Sequence, residues 1–401
     1  MHRFGWLTIP LLLICCSGAA NLDLERLQMH VLAKELKTTQ HRVVFESNRS
    51  GDWDIWIVNA DGSGLRNLTS TPDMDEINAH ASPDGTKIVF IGDRVRMAGR
   101  RRITHRATYL MNMDGSGRLK IAERVQNPAW NHDGTAIALV RSNPTKPTTE
   151  YYTRGLMIYD LKTKRTQSVR PGFFTGIFAL TWSPDGKWFL FAQRGMRRFG
   201  YQLLMTDAEG RYVYPIRNYG CRPDFSPDGK RIAWNTSDQH IAVGRINTAG
   251  LQPGRRDPVT LTDLRVVART RQGKVYYVDW SPDGRYLAYA RGHARKVGHS
   301  FKGTGDWRIW VTRATELHPT RLPIAVPLTS PPPGKDDKEP DWVPIPKPIP
   351  IVPAGDDDDD DDAPSVDPLP PPPPADPERK TEIDRIIDDW IERMKKDLGG
   401  G

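Results

Sequence analysis

Ser82-Pro83-Asp84-Gly85 is the first copy of a tetrapeptide that decides the fold of this chain. The tetrapeptide returns at intervals of roughly 43 to 55 residues, once as the variant Asn-His-Asp-Gly at 131–134. An aromatic residue stands directly before most copies. Such a period is typical of repeated supersecondary units and not of unrelated domains. The later copies are 183–186, 226–229 and 281–284, and the aromatic residues are Trp130, Trp182, Phe225 and Trp280.

Each repeat unit carries four strand signals. Pro-Asp-Gly favours a tight turn, because proline presets φ, aspartate caps its own backbone and glycine accepts positive φ. A β-forming run follows the turn, as at 87–90 and 286–289, and a second run comes later, as at 108–112. A short third run and the aromatic run before the next tetrapeptide complete the unit. Four strands per unit predict the blade of a β-propeller.

The two ends of the repeat region complement one another. The run at 43–45 has no aromatic strand before it, and the aromatic run at 339–344 has nothing after it. The C-terminal strand is therefore expected to complete the N-terminal blade, which closes the ring and removes exposed sheet edges. The prediction is an all-β fold: a six-bladed β-propeller over 41–344, closed by a strand swap.

The repeats resemble those of TolB-like proteins. The resemblance rests on Trp-Ser-Pro-Asp-Gly, on Ile-Trp-Ile-Val-Asn-Ala-Asp-Gly-Ser-Gly at 55–64 and on Asn67-Leu68-Thr69, and it covers about 41–344. It implies a WD40-like repeat and six blades. TolB as a family works in the bacterial envelope with a peptidoglycan-associated lipoprotein and has a separate N-terminal α/β domain. Because only about twenty residues lie between the predicted signal and the repeats, we expect that domain to be absent here.

The N-terminal segment has the pattern of an export signal. Residues 1–20 combine His2 and Arg3 with an apolar stretch and small residues before 21, which predicts a signal peptide and a periplasmic or envelope location. Lipidation at Cys15 or Cys16 is the alternative, and only then is membrane contact expected. Residues 21–40 are predicted as a short lead-in helix, with apolar residues at Leu24, Leu27, Val31, Leu32 and Leu36.

Positive charge concentrates in the loops that join the second and third strands of a blade. The chain as a whole carries a net charge of +8. In a TolB-like blade these loops share one face, so that face is expected to be basic and to recruit an anionic partner, either a protein or an anionic envelope polymer. No nucleic-acid-binding module is recognised. The predicted binding residues are Arg94, Arg96, Arg100, Arg101, Arg102, Arg106, Arg194, Arg197, Arg198, Arg295 and Lys296.

Residues that enter the aromatic strands are expected to ring the mouth of the central channel, where they bind either a ligand or the loop backbone. They are Asn78, His80, Asn127, Arg222, Tyr277 and Glu339. No catalytic motif, metal-ligand pattern or cofactor-binding loop is found, which favours a protein-interaction scaffold over an enzyme. The alternative is a propeller hydrolase or lyase that acts on an anionic saccharide or lactone in the channel.

The C-terminal region changes composition abruptly. Residues 345–376 are proline-rich and contain seven consecutive aspartates at 356–362, which predicts a disordered linker. The aspartates act as a solvating spacer or compete for the basic face. Residues 377–398 predict a tethered amphipathic helix that docks on the propeller or on another protein. Its apolar stripe includes Ile383, Ile387, Trp390, Ile391 and Met394.

Overall fold

The structure is a computed structural model of the chain. It describes residues 10–98, 101–143, 152–194, 201–217, 219–248, 251, 259–297, 300–303, 305–314 and 322–345. The predicted linker and the predicted tail helix at 377–398 lie outside these residues, apart from Ile345.

The first three blades are four-stranded antiparallel sheets. Blade 1 contains β1 (Arg42–Ser47), β2 (Asp54–Asn59) and β3 (Arg66–Asn67), and its innermost strand comes from the far end of the chain. Blade 2 contains β4 (Met74–Ala81), β5 (Lys87–Ala98), β6 (Arg101–Asn112) and β7 (Leu119–Glu123). Blade 3 contains β8 (Val125–Trp130), β9 (Ala136–Ser142), β10 (Thr153–Asp160) and β11 (Arg165–Val169).

The other three blades repeat this order. Blade 4 contains β12 (Ile177–Trp182), β13 (Trp188–Arg194), β14 (Tyr201–Asp207) and β15 (Val213–Arg217). Blade 5 contains β16 (Cys221–Phe225), β17 (Arg231–Ser237), β18 (His240–Ile246) and β19 (Leu261–Arg269). Blade 6 contains β20 (Lys274–Trp280), β21 (Tyr286–Gly292), β24 (Arg308–Arg313) and β25 (Ala325–Pro327), with a separate hairpin of β22 (Ala294–Val297) and β23 (Ser300–Gly303) between its second and third strands. The predicted six-bladed propeller is confirmed.

The repeated tetrapeptide forms the turn between the first and second strands of a blade. In blade 2 the Ser82 hydroxyl donates to the Asp84 carboxylate at 2.5 Å, and the amide of Thr86 donates to the same oxygen at 3.0 Å. Gly85 has a φ of 69°, which a residue with a Cβ rarely adopts. The same turn returns in blades 3 to 6, so the sequence period is a period of turns.

Strand β26 (Asp337–Val343) closes the ring. It pairs antiparallel with β1, with Val43 opposite Trp342 and Arg42 opposite Val343. The Trp342 side chain is only 3% exposed and makes an edge-on contact with the His41 ring, whose centroid is 5.9 Å away. The predicted strand swap is therefore present, and the last strand of the propeller serves as the innermost strand of its first blade.

One helix precedes the propeller. Helix α1 (Pro10–Thr38) covers the junction of blades 6 and 1, where Met29, Leu32, Ala33 and Leu36 pack on the core cluster that includes Trp342. The guanidinium of Arg313 holds Glu35 through two hydrogen bonds of 2.9 and 2.7 Å.

The apolar stripe predicted for this helix is wrong in part, because the buried residues lie on a different face of the helix. Leu32 and Leu36 are buried as expected, but Leu24, Leu27 and Val31 are exposed. The packing face instead follows the spacing i, i+3, i+4, i+7 from Met29. In the part of the chain that the structure describes, no helix combines the length and apolar character that a membrane crossing requires.

Replacing Trp342 by alanine tests the closure. Removing a buried indole leaves a cavity, so Trp342→Ala should lower the free energy of unfolding by about 3–5 kcal/mol, measured by urea denaturation. Leu119→Ala is the matched control, because Leu119 is an exposed apolar residue and should change stability by about 0.5 kcal/mol or less. Equal midpoints for the two variants would contradict a closing role for β26.

Candidate functional site

A bulge in each innermost strand builds the channel wall. One residue near the middle of the strand has a positive φ, between 47° and 62°, and in blades 2 to 6 the pairing register with the second strand shifts at that point. A bulge of this kind turns a side chain away from the regular alternation of the strand. The six positions are Asn78, Asn127, Ala179, Arg222, Tyr277 and Glu339.

These bulges surround a cavity of about 190 Å³ in the central channel. All six residues predicted at the channel mouth line it, namely Asn78, His80, Asn127, Arg222, Tyr277 and Glu339. Ala179 completes the ring and was missed, because the aromatic-strand pattern marks its position but alanine carries no polar signal. Sequence reasoning also missed three carboxylates in the same wall, Asp224, Asp279 and Asp341.

Each of the three carboxylates joins its blade to the next one. Asp224 of blade 5 accepts a hydrogen bond from the amide of Trp280 at 3.2 Å, and Asp279 of blade 6 accepts one from Trp342 at 2.7 Å. Asp341 of β26 accepts one from Ala81 of blade 2 at 2.8 Å. All three lie two residues beyond a bulge, so the repeat places them equivalently.

Burial and mutual repulsion shift the ionisation of this cluster. Burial raises the pKa of Asp224 to about 6, and Asp341 adds to the shift. Burial likewise raises the pKa of Asp279 well above its usual range, and the charges of Asp341 and Asp224 raise it further. The wall beside blades 5 and 6 thus carries two carboxyl groups that hold protons more tightly than exposed aspartates do.

His80 is held between blades 1 and 2. Its Nδ1 lies 2.7 Å from a carboxylate oxygen of Asp341. Burial opposes a charge on the imidazole, but the neighbouring carboxylates, with Asp341 foremost, outweigh it and raise the pKa of His80. The side-chain amide of Asn78 donates to Glu339 at 3.0 Å and lies 3.2 Å from Nε2 of His80.

Arg222 and Tyr277 form the opposite part of the rim. The guanidinium carbon of Arg222 lies 3.9 Å from the centroid of the Tyr277 ring, and Nη1 is 3.7 Å from Glu339. This stacking on an aromatic face fixes the guanidinium plane at the cavity edge. Glu339 thus contacts both Asn78 and Arg222, and it connects the two halves of the ring.

Two amide oxygens in the wall have no hydrogen-bond partner. They are Oδ1 of Asn78 and Oδ1 of Asn127, and Asn127 is only 9% exposed. Buried polar atoms are normally paired. Each of these oxygens has almost no accessible surface, so it lies within the wall and is not offered to a guest in the open part of the cavity.

The basic loops surround this cavity on the same side of the propeller. β5 and β6 extend beyond β4, which ends its pairing at Met74 opposite Arg94, so the hairpin stands out from blade 2. Arg94, Arg96 and Arg194 are exposed. Arg101, Arg102, Arg295 and Lys296 lie in hairpin strands of which the backbone alone is described, and Arg100, Arg197 and Arg198 lie outside the described residues.

Arg106 does not belong to this exposed set. Its guanidinium forms two hydrogen bonds with Asp93, at 2.7 and 2.5 Å, and a third with Gln126 at 2.5 Å. Both charged side chains are almost buried. The expectation that Arg106 faces a partner is therefore corrected: strand pairing places Asp93 opposite Arg106, and the two form an ion pair inside the blade.

Sequence reasoning also missed exposed aromatic residues on this face. Tyr152, Phe173 and Tyr219 are 41%, 47% and 49% exposed and lie in loops of blades 3, 4 and 5. The guanidinium carbon of Arg170 sits 3.7 Å from the centroid of the Phe173 ring. No motif marks these residues, and only their placement in the blade shows which face they share.

Arginines accompany these aromatic residues around the rim. The exposed arginines in the described part of these loops and the strand ends beside them are Arg94, Arg96, Arg124, Arg154, Arg194, Arg217, Arg269 and Arg271. Arg170 is exposed too, but its guanidinium donates to the carbonyls of Gly210 and Arg211 in the turn between β14 and β15. Asp73 and Glu123 are exposed acidic residues there, while Lys274 contacts Asp238 and His293 contacts Asp306. Over the described residues, no three His, Cys, Asp or Glu side chains are placed to hold one metal ion.

Comparison with known proteins supports the propeller fold. TolB from Acinetobacter baumannii superposes with a TM-score of 0.53 at 19% identity, over 76% of this chain and 67% of that one. The chain has a TolB-like propeller fold. Hydrazine synthase from Kuenenia stuttgartiensis superposes with a TM-score of 0.51 at 13% identity, over 78% of this chain and 48% of that one. At such identities the likeness shows fold and not activity.

Sequence matches cover shorter parts of the chain. The family described as "Eukaryotic translation initiation factor eIF2A", which is a propeller-type family, matches residues 120–302. An uncharacterized protein of Agrobacterium fabrum is 30% identical over 110 residues, which are 26% of this chain and 37% of that protein. The chain thus matches little more than a third of that relative's length.

The half-buried carboxyl group of Asp224 predicts how stability depends on pH. Asp224 has a pKa of about 6 in the folded protein and about 3.9 when unfolded, so between these values only the folded chain holds the proton. Stability should therefore fall as pH rises through this window. Asp224→Asn cannot titrate, and from pH 4 to 7 the wild type should lose about 1–3 kcal/mol relative to it.

Asp228→Asn is the control for this measurement. Asp228 lies in the turn of the same blade, and hydrogen bonds from Ser226 and the Lys230 amide outweigh burial and lower its pKa. Relative to Asp228→Asn, the wild type should therefore gain stability as pH rises, which is the opposite of its behaviour relative to Asp224→Asn. Urea unfolding at several pH values measures both variants, and parallel curves for Asp224→Asn and the wild type would show that burial does not shift this group.

Proposed function

We propose that this propeller is a protein-interaction module that recruits an acidic protein partner through the face that carries the basic loops. The observation that carries the proposal is the combination of exposed arginines with Tyr152, Phe173 and Tyr219 around one end of the channel. Arginine, tyrosine and other aromatic residues are the types enriched at protein interfaces and at their energetic hot spots. A polymer held by charge alone would need the arginines but not the aromatic side chains.

The site of action that fits this proposal is the bacterial envelope. The support comes from the export-signal pattern at 1–20 and from the repeat resemblance to TolB. Binding on the face with the basic loops is compatible with the rest of the fold. The opposite face carries the tight aspartate turns, and helix α1 covers the junction of blades 6 and 1. Partner binding then needs no change in the blade cores.

Charge reversal in the β5–β6 hairpin tests whether exposed arginines of this face attract the partner. Arg94→Glu/Arg96→Glu should weaken partner binding by about tenfold or more, since like charges at an interface repel. Wild-type binding should also weaken steeply between about 50 and 300 mM salt, where exposed charges are screened. Immobilised full-length chain would capture the partner from envelope extract, and its affinity would then be measured by titration.

Lys187→Glu/Lys230→Glu is the matched control, because these exposed lysines follow the tetrapeptide turns on the opposite face. The control has the same change in net charge and should bind like the wild type. Equal losses in both double variants would mean that overall charge, and not this face, governs binding.

Truncating the aromatic residues separates a protein partner from a polymer. Phe173→Ala and Tyr219→Ala should each weaken binding by about 1–2 kcal/mol while leaving the salt dependence unchanged, because they remove contact area and no charge. Leu119→Ala serves as the exposed apolar control. If both aromatic variants bind like the wild type while the arginine variant fails, the partner is held by charge alone and the proposed protein interface with aromatic contacts is wrong.

An enzyme in the channel is the second candidate. It is favoured by the pairing of His80 with Asp341 beside Asp224 and Asp279 in one cavity. The same carboxylates hold the backbone of the next blade, which is a structural task, and as acidic groups they do not fit an anionic substrate. His80→Gln, which removes an acid–base group, would abolish turnover of a cavity substrate and leave binding at the basic face intact.

A further inference from the structure

Helix α1 has a second apolar face that the propeller does not cover. Leu24, Leu27 and Val31 follow the spacing i, i+3, i+7 and are 51%, 61% and 46% exposed. We call these three residues the exposed α1 face. The opposite face of the helix is fixed on the core through Leu32 and Leu36, and Glu35 is held by Arg313. The helix therefore cannot bury the exposed α1 face by rotating about its axis.

We propose that residues 377–398 of the same chain bind the exposed α1 face as a helix and pack across the ring junction. The predicted stripe of this segment has the matching form: Ile383, Ile387, Trp390, Ile391 and Met394 recur at helical spacing. A single helix of this length is marginal in water, so it needs an apolar partner surface. Two amphipathic helices side by side would bury both stripes.

The path of the chain brings this segment to the right place. β26 ends with Val343 opposite Arg42, and α1 ends at Thr38, so the C-terminal region leaves the propeller beside the base of α1. Leu24 lies about 21 Å along the helix from Thr38, at 1.5 Å per residue. The residues between 345 and 377 are proline-rich, and at about 3.1 Å per residue in extended form they would reach on the order of 100 Å, more than the exposed α1 face requires.

The charges around the two stripes are complementary. Among the exposed charged side chains of α1 from Leu24 onward, Arg26, Lys34 and Lys37 are basic and Glu25 is acidic. Residues 382–392 of the tail contain five acidic side chains against Arg385, and the other basic residues of 377–398 lie toward its two ends, at Arg379, Lys380, Arg393, Lys395 and Lys396. Opposite charges beside an apolar seam favour one pairing and register of two helices. A second copy of α1 would instead place like charges together.

Hydrogen–deuterium exchange on the full-length chain tests the proposal. Amides within 382–396 should exchange at least about tenfold more slowly than in the unfolded chain, because docking stabilises the helix. Leu27→Asp places a charge in the seam and should reduce this protection to about twofold or less, while the α1 amides stay protected through the buried face. Leu119→Asp is the control, since Leu119 is also an exposed leucine and lies in β7 of blade 2.

The tail variant and a dilution series complete the test. Ile387→Asp places a charge in the apolar stripe of the tail and should remove the same protection of the amides within 382–396. Protection in the wild type should not change over a hundredfold dilution, because both helices belong to one chain. Three results would overturn the proposal: an unprotected wild-type tail, protection that survives Leu27→Asp, or protection lost on dilution, which would assign the surface to a second copy.

Discussion

The pairing of β26 with β1 is the constraint on which the rest of the structure depends. Blade 1 has no innermost strand of its own, so the ring exists only when residues from the two ends of the repeat region meet. This pairing also delivers Glu339 and Asp341 to the channel, where they contact Arg222, Asn78 and His80. Loss of closure would therefore dismantle the cavity together with the fold, and α1 lies across the same junction.

One repeated backbone feature generates a ring of unlike side chains. A positive φ at a residue other than glycine costs on the order of 1 kcal/mol, and this chain accepts the cost at the same position in all six innermost strands. The side chains at these positions are two asparagines, an alanine, an arginine, a tyrosine and a glutamate. Six-fold backbone regularity thus supports an asymmetric cavity, with carboxyl groups on blades 5, 6 and 1 and unpaired amide oxygens on blades 2 and 3.

The sequence predicts the features that the repeat period determines, and it fails where contacts between distant strands decide. Turn spacing is enough to place six blades, the closing strand and the six channel residues, because the period fixes each position within a blade. It cannot show that Arg106 is paired by Asp93, which depends on the strand register, or that α1 packs through Met29 and Ala33 and not through Leu24 and Leu27. Both outcomes depend on which neighbour a side chain meets.

The carboxylates of the channel wall show the same limit of prediction from the sequence. In the sequence, Asp224, Asp279 and Asp341 look like ordinary polar residues before an aromatic one, and their clustering appears only when the ring is closed. Their chemistry then opposes that of the rim, because carboxyl groups line the centre while arginines surround it. A partner that matched both zones would present acidic groups to the rim and a hydrogen-bond donor to the centre. This is a more selective requirement than positive charge alone imposes, since a uniformly acidic surface would satisfy the rim and place like charges against the carboxyl groups of the centre.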